Sequence, residues 1–200
     1  MMNFNHIKLN KRFLDLLLGF GSLLLLAGAC SSDTSSDGAP SPASITDSSG
    51  YRYFSLENYF KAEIERLSGL NSPVRKTVSI NGETESQTLH ITNWNHELDL
   101  FLGADINKAA WRNSYAIDSL ENAIVYESLE PDLKTKKITI EKGLEGEVAS
   151  IEIENEVSNW IYRSKELLIY VPDSVYEIKK QQVIRIVGNN EYQIKVFGKP

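Results

Sequence analysis

The sequence has a single cysteine, Cys30, among its 200 residues. One cysteine cannot form a disulfide within the chain, and it cannot build the thiolate clusters that hold structural zinc. Histidine is also scarce, and only His90 and His96 follow Cys30. We therefore expect a fold held by packing and hydrogen bonds, and we predict no cofactor.

The two histidines lie near carboxylates, Glu97 and Asp99, that could be imagined as metal ligands. However, His90 falls on a predicted strand. His96 and the two carboxylates also lack the i, i+4 spacing that would place them on one face of a helix. We therefore predict solvated side chains and no metal site.

Motifs of common enzymes are absent from the sequence. It contains no Gly-x-Ser-x-Gly, no phosphate-binding loop, no dinucleotide fingerprint and no His-Glu-x-x-His. Asp105 and Asp118 flank Trp111 and Tyr115, and such a carboxylate pair beside an aromatic ring could bind or hydrolyse a sugar. Because carboxylates are abundant here, we expect Asp105 to cap the turn leading to Lys108 instead.

A long apolar run occurs only at residues 16–26. It follows the basic residues Lys8, Lys11 and Arg12 and precedes the small residues Ala27, Gly28 and Ala29. A basic start, a short apolar core and a small-residue exit form the pattern of a secretion signal. The core is shorter than the roughly 20 apolar residues of a membrane span, so we predict a signal peptide over residues 1–29.

Residues 26–30, Leu-Ala-Gly-Ala-Cys, resemble the lipobox of bacterial lipoproteins, with Ala27 where that family prefers leucine. The resemblance implies cleavage before Cys30, a diacylglycerol on its sulfur and acylation of the new amino group. Ser31 stands where the inner-membrane retention signal of the family has aspartate, which implies the outer membrane. The alternative is an ordinary signal peptide followed by an unmodified cysteine.

Residues 31–50 consist almost wholly of Ser, Asp, Thr, Gly, Ala and Pro. Such a segment has too few apolar residues to build a core, so we predict that residues 30–50 form a lipidated cysteine and a disordered tether. Removal of residues 1–29, which carry three positive charges and one negative charge, takes the net charge from −6 to −8. An acidic chain without a basic run argues against binding of nucleic acid or of anionic lipid by charge.

The remaining residues, 51–200, have the length of one ordinary domain. Ser55 can cap a first helix that ends at Gly69, and Asn93 can cap a second that ends at Gly103. Asn81-Gly82 is a strong signal for a two-residue hairpin turn. Strands are predicted at residues 74–80, 83–91, 123–129, 136–141, 147–157, 167–171, 175–179, 183–187 and 192–197.

Ile151 and Ile153 alternate with polar neighbours, which indicates one buried and one solvated face. Pro172-Asp173-Ser174 and Gly188-Asn189-Asn190 are predicted turns. Helices first and strands after predict an α+β domain. Its N-terminal helices would pack on a curled antiparallel sheet in the form of a meander, half-barrel or sandwich-like arrangement.

The spacing of residues from Leu168 through Tyr176 and Gln182 to Tyr192 resembles the closing strands of lipoprotein-carrier half-barrels of the LolA/LolB type. In those exported domains a curved antiparallel sheet wraps an apolar cavity that helices cap. The resemblance covers about the last third of the chain. Cystatin-like and lipocalin-like sheets would suit the same spacing.

Three tryptophans, Trp94, Trp111 and Trp160, each lie beside asparagines. Tryptophan next to amide side chains is common at binding faces and interfaces, and it also occurs in cores where the indole finds a partner. We assign Trp94 to the core and take Trp111 and Trp160 as candidate binding residues.

The sequence thus favours a membrane-anchored envelope lipoprotein with a non-enzymatic binding domain for a partner protein. Two alternatives stay open. The domain could carry an apolar or lipid ligand in a sheet-lined cavity, or it could be an envelope hydrolase acting on polysaccharide or lipid. A cleft with converging carboxylates would favour the hydrolase, a deep apolar cavity the carrier, and an exposed aromatic patch the partner-binding domain.

Overall fold

The structure is a computed structural model that describes residues 52–186 and 188–198. The predicted signal peptide at residues 1–29, the lipidation site Cys30 and the predicted tether lie outside these residues. So does the predicted first residue of the domain, Tyr51. Among the described residues, no helix is both long enough and apolar enough to cross a membrane.

The first helix, α1, spans Leu56–Leu70 and begins where the sequence predicts. The Ser55 hydroxyl accepts a hydrogen bond from the Asn58 amide at 3.1 Å, which satisfies one of the unpaired donors of the first turn. The helix ends at Asn71, which adopts a left-handed conformation with φ 42°. The end therefore lies two residues beyond the predicted Gly69, because asparagine tolerates this conformation and can close a helix as glycine does.

The single second helix predicted after Asn93 is corrected to two short helices, α2 over Trp94–Glu97 and α3 over Asp99–Leu102. The Asn93 side chain caps the first of them by accepting from the His96 amide at 3.0 Å. Leu98 separates them because its backbone, with φ −103° and ψ 10°, departs from helical geometry. A 3₁₀ helix follows over Ala109–Trp111.

The strands among the described residues are β1 Pro73–Ile80, β2 Glu83–His90, β3 Tyr115–Ser119, β4 Ala123–Ser128, β5 Thr135–Lys142, β6 Val148–Ser158, β7 Tyr162–Val171, β8 Val175–Ile184 and β9 Gly188–Gly198. They form one open antiparallel sheet in the order β2-β1-β9-β8-β7-β6-β5-β4-β3. Strands β3 to β9 follow one another as a meander, and the β1–β2 hairpin joins through β9. The α+β class with an antiparallel sheet is confirmed.

The predicted hairpin turn at Asn81-Gly82 is confirmed, with φ 51° at Asn81 and φ 90° at Gly82. Positive φ at both central residues matches the twist of the flanking strands, which explains the choice of an asparagine and a glycine. The return strand β2 lies at one edge of the sheet, as its polar sequence predicts.

Three predictions for the strands are corrected. The short edge strand β3 was not predicted, and the predicted strand at residues 175–179 continues without a break to Ile184 as β8, while Arg185 and Ile186, predicted as strand, form a turn. Gln181 and Gln182 continue that strand because both neighbours, β7 and β9, pair with them. The predicted turn Gly188-Asn189-Asn190 belongs to β9, which begins at Gly188.

The core lies where the helices meet one face of the sheet. Phe60 of α1 packs edge-on against Tyr170 of β7 with ring centroids 5.1 Å apart, and Trp94 packs against Tyr176 of β8 at 6.4 Å. Trp94 is buried, as predicted. Ile151 and Ile153 have no exposed surface, so the prediction that they face inward is also confirmed.

Two buried tyrosine hydroxyls tie the helices to the sheet through carboxylates. Tyr170 donates to Glu63 of α1, and Glu63 is paired with Arg66 at 2.8 Å. Tyr176 donates to Glu97, which is paired with Lys76 of β1 at 2.7 Å. Burial raises the pKa of both hydroxyls, and the adjacent carboxylate raises it further, so both remain protonated donors far into the alkaline range.

Candidate functional site

Exposed apolar side chains collect at one end of the sheet. Ten large apolar residues are exposed among those the structure describes, and six of them lie where β4, β6 and β8 end. Because neighbouring strands of a meander run in opposite directions, every second turn lies at the same end of the sheet. The turns that follow these three strands therefore lie together at one end. We name this set the tip surface; its members are Leu129, Val157, Trp160, Ile161, Val183 and Ile186.

The turn between β6 and β7 is fixed by Asn159. The Asn159 side-chain oxygen accepts from the backbone amides of Ile161 at 3.0 Å and Tyr162 at 2.8 Å, and the backbone amide of Asn159 donates to the Tyr162 carbonyl. Such an Asx turn closes the chain with its own side chain. Trp160 stands within this turn with 76% of its surface exposed. The indole is therefore presented to solvent from a backbone that hydrogen bonds already hold.

The neighbouring tip, between β8 and β9, is joined to the first one. The Arg185 amide donates to the Ile161 carbonyl at 3.0 Å, which brings the two turns side by side. Ile186 is 89% exposed in this turn, and Gly188 opens β9 with φ 104°, a conformation that favours glycine. Two adjacent tips thus carry the two most exposed side chains of the tip surface, Trp160 and Ile186.

An open cleft of about 670 Å³ lies beside these tips, between the β4–β5 loop and the end of β6. Leu129 and Val157 of the tip surface form part of its wall. Four of its side chains are carboxylates and one is an ammonium group; these ionisable residues are Glu127, Glu130, Asp132, Lys136 and Glu156. The cleft is therefore acidic, and its apolar wall continues into the tip surface.

Internal hydrogen bonds hold the loop of the cleft. Lys136 donates to the Pro131 carbonyl, and Ser114 donates to Glu130. The ammonium group of the cleft is thus partly engaged within the loop itself. Within residues 52–186 and 188–198, no hydrogen bond or ion pair engages the side chains of Glu127 and Asp132, and both residues are exposed.

The two tryptophans predicted as candidate binding residues lie in different environments. Trp111 is half-buried and packs on the core, and the Lys108 ammonium lies 4.2 Å from the centroid of its ring. Trp160 is exposed on the tip surface. The geometry therefore brings Trp160 into a candidate surface and leaves Trp111 as a packing residue with a cation on one face.

Three of the residues considered as metal ligands or as a carboxylate pair, His90, Glu97 and Asp105, have other partners. His90 lies 2.9 Å from the Asn71 carbonyl, and Glu97 is held by Lys76 and Tyr176. Asp105 accepts from the Glu57 amide at 2.8 Å and the Asn107 amide at 2.7 Å, so it caps both its own turn and the start of α1. No group of three or more potential metal ligands lies among the residues that the structure describes.

A second, apolar crevice lies at the opposite end of the sheet, where α1 meets the turn between β7 and β8. Its volume is about 90 Å³, and its wall includes Leu67, Val74, Trp94 and Tyr176. Sites for small molecules usually need about 300 Å³ or more. This crevice is therefore too small to enclose a lipid chain.

A buried polar group lies on the helix-facing side of the sheet, on β6, β7 and β8. Glu166 is paired with Lys180 at 3.0 Å and lies 3.5 Å from Lys134, while Asn155 donates to it at 3.4 Å. Burial alone would raise the pKa of Glu166, but the charges of Lys134 and Lys180 and the hydrogen bonds from Lys180 and Asn155 hold it below its ordinary value. Ser164 is buried beside them, and its hydroxyl has no partner within the described part of the chain.

Sequence reasoning identified Trp160 but missed the aliphatic members of the tip surface and the acidic cleft. Ile186 falls in a run of β-branched residues that was predicted to be strand, and the cleft joins two segments that are about 25 residues apart in the sequence. The available signal was Asn159-Trp160 between two strand patterns, a turn residue followed by an exposed aromatic. The chain matches no protein-family model, no curated protein and no solved structure.

Proposed function

We propose that this chain is an outer-membrane lipoprotein, anchored through acyl chains on Cys30, whose domain binds a partner protein of the envelope through the tip surface. The observation that carries the binding role is the concentration of exposed apolar side chains on two adjoining, hydrogen-bonded tips. Large exposed apolar patches of this kind usually mark interaction sites. An indole on a fixed turn adds contact area at little cost in conformational entropy.

The membrane anchor rests on the signal pattern and on Cys30. Each buried CH₂ of an acyl chain contributes about 0.8 kcal/mol, and one chain alone binds weakly, so two or three chains give stable attachment. Cys30→Ser should yield an exported protein that stays out of the membrane fraction. Intact mass and fractionation measure this; a wild-type protein without acyl mass, or a variant that remains in the membrane, would refute the anchor.

We also propose that the sheet curls around the helices as a half-barrel does. Strands twist in one sense, and nine of them accumulate a large twist. The burial of Ser164, Asn155 and Glu166 on the helix-facing side supports such a curl. Scattering in solution from the full chain would test the shape.

The partner-binding role is favoured over that of a ligand carrier by two observations. Ile151 and Ile153 are fully buried in packed surroundings, and the apolar crevice is smaller than ordinary ligand sites. The acidic cleft does hold carboxylates, but its wall is open and runs into an apolar surface. A contact surface for another macromolecule fits this combination best.

The experiment compares two double variants in membranes treated with a crosslinker. Trp160→Ser/Ile186→Ser removes the two most prominent groups of the tips, whereas Leu120→Ser/Leu144→Ser removes two exposed leucines at the other end of the sheet. A buried tryptophan at an interface contributes about 2 kcal/mol or more, so the affinity for the partner should fall about thirtyfold in the first variant only. The crosslinked partner should therefore be lost from the first variant and recovered with the second. Equal recovery with both variants would refute the assignment of the surface.

A further inference from the structure

The acidic cleft has more negative charge than its own contacts neutralise. Glu127 and Asp132 have exposed carboxylates that no side chain engages within the described residues. Glu156, on the facing wall, is 3.6 Å from Lys165, a distance at which an exposed pair contributes little. Several carboxylates along a concave wall make the electrostatic potential there more negative.

The cleft also continues into apolar surface. Leu129 and Val157 lie in its wall, and Val157 lies near the end of β6, just before the turn that contains Trp160. A ligand seated in the cleft would thus meet carboxylates and apolar groups together, on both of its walls. Arginine and aromatic residues are enriched at protein interfaces because their side chains join apolar area with directed hydrogen bonds.

We propose that the cleft binds a basic segment of the partner protein, in which lysine or arginine side chains alternate with apolar ones. The basic groups would pair with Glu127, Asp132 and Glu130, and the apolar groups would lie on Leu129, Val157 and Trp160. This inference rests on the proposed partner-binding function and adds the chemistry of the segment that is bound.

Charge complementarity selects a protein segment over a lipid surface. Anionic headgroups would be repelled by four carboxylates, and the chain after Cys30 carries a net charge of −8. A basic segment would instead be drawn toward the cleft before contact, which raises the rate of association and makes it depend on salt.

The test uses the full chain in detergent and a fluorescent peptide of alternating lysine and leucine, with a glutamate–leucine peptide as the charge-reversed probe. Anisotropy should show that the lysine peptide binds, that binding weakens as salt rises, and that the glutamate peptide does not bind. Glu127→Gln/Glu130→Gln/Asp132→Asn should weaken binding of the lysine peptide by about tenfold.

The matched control removes the same number of charges at the opposite end of the sheet. Glu121→Gln/Glu145→Gln/Glu147→Gln should leave binding within about twofold, because a general charge effect contributes little at that distance in salt. Equal losses in both triple variants, binding of the glutamate peptide, or no binding of the lysine peptide would overturn the proposal. Association with anionic vesicles that the cleft variant abolishes would overturn it as well.

Failure of this inference can be told apart from failure of the proposed function. If the lysine peptide does not bind but Trp160→Ser/Ile186→Ser still loses the partner, partner binding through the tip surface is supported and binding of a basic segment in the cleft is refuted. If the lysine peptide binds and the partner is recovered equally with all variants, the cleft is a site for basic peptides, and the proposal that the tip surface binds the partner is refuted.

Discussion

Replacement of Ile151 by alanine tests whether the sheet face is a packed core or the wall of a ligand cavity. Ile151 has no exposed surface, and it lies between Ile140 of β5 and Tyr170 of β7 in the register of the sheet. The change removes three carbon atoms, which at about 0.8 kcal/mol each gives a transfer loss of about 2.4 kcal/mol. The cavity left behind adds to this, so we expect a total loss of about 3 kcal/mol in the free energy of unfolding.

Urea unfolding of the wild type and the variant, followed by circular dichroism, measures the difference in the free energy of unfolding. The shift of the urea midpoint gives this difference when the slope of free energy against urea is the same for both proteins. Ile186→Ala is the matched control, because the same three atoms are lost from a side chain that is 89% exposed. We expect it to change stability by less than about 0.5 kcal/mol. A loss below about 1 kcal/mol for Ile151→Ala, together with stabilisation of the wild type by a fatty acid, would refute the packed core and support a carrier.

Three further predictions concern buried polar groups. Ser164→Ala removes a hydroxyl without a partner among the described residues, so unfolding in urea should show unchanged stability or a gain of up to about 1 kcal/mol. Burial alone would raise the pKa of Glu166, but Lys134 and Lys180 hold it below its ordinary value, so the contribution of the ionised carboxylate to stability is present above about pH 4.3 and is lost as the pH falls further; Glu166→Gln should therefore make stability depend less on pH in the acid range. Burial, helped by Tyr53 and Glu130, raises the pKa of Tyr115 to about 12, so stability should fall as the pH rises from about 10 toward 12, and tyrosinate absorbance should lag behind that of the denatured chain.

Local signals account for the elements that the sequence predicts well. Ser55 caps α1, and Asn81-Gly82 closes the β1–β2 hairpin, because each depends on backbone conformation within a few residues. The alternation around Ile151 and Ile153 predicts the buried face because side chains alternate along a strand.

Elements that depend on distant partners were predicted poorly. The polar pair Gln181-Gln182 gives no strand signal, yet β7 and β9 pair with it on both sides. The pairing of β1 with β9 joins segments that are more than 100 residues apart in the sequence and has no local signal at all. Strand preference therefore follows from neighbours as much as from the residues themselves.

The candidate site shows the same division. Trp160 was recognised from its own character and its asparagine neighbours, whereas the cleft exists only because the β4–β5 loop returns beside the end of β6. Its carboxylates were indistinguishable in the sequence from the many others of an acidic chain. Burial and adjacency, which separate these residues from the rest, are properties of the fold.

Photocrosslinking in living cells tests the central claim most directly. A photoreactive phenylalanine in place of Trp160 would report what lies against the tip surface, and the same group in place of Leu144, which is fully exposed at the opposite end, would serve as the control. We predict that light produces one defined protein adduct from position 160 and none from position 144, and that the triple variant of the cleft reduces the adduct from position 160. Adducts from position 144 alone, or from neither position, would contradict the account.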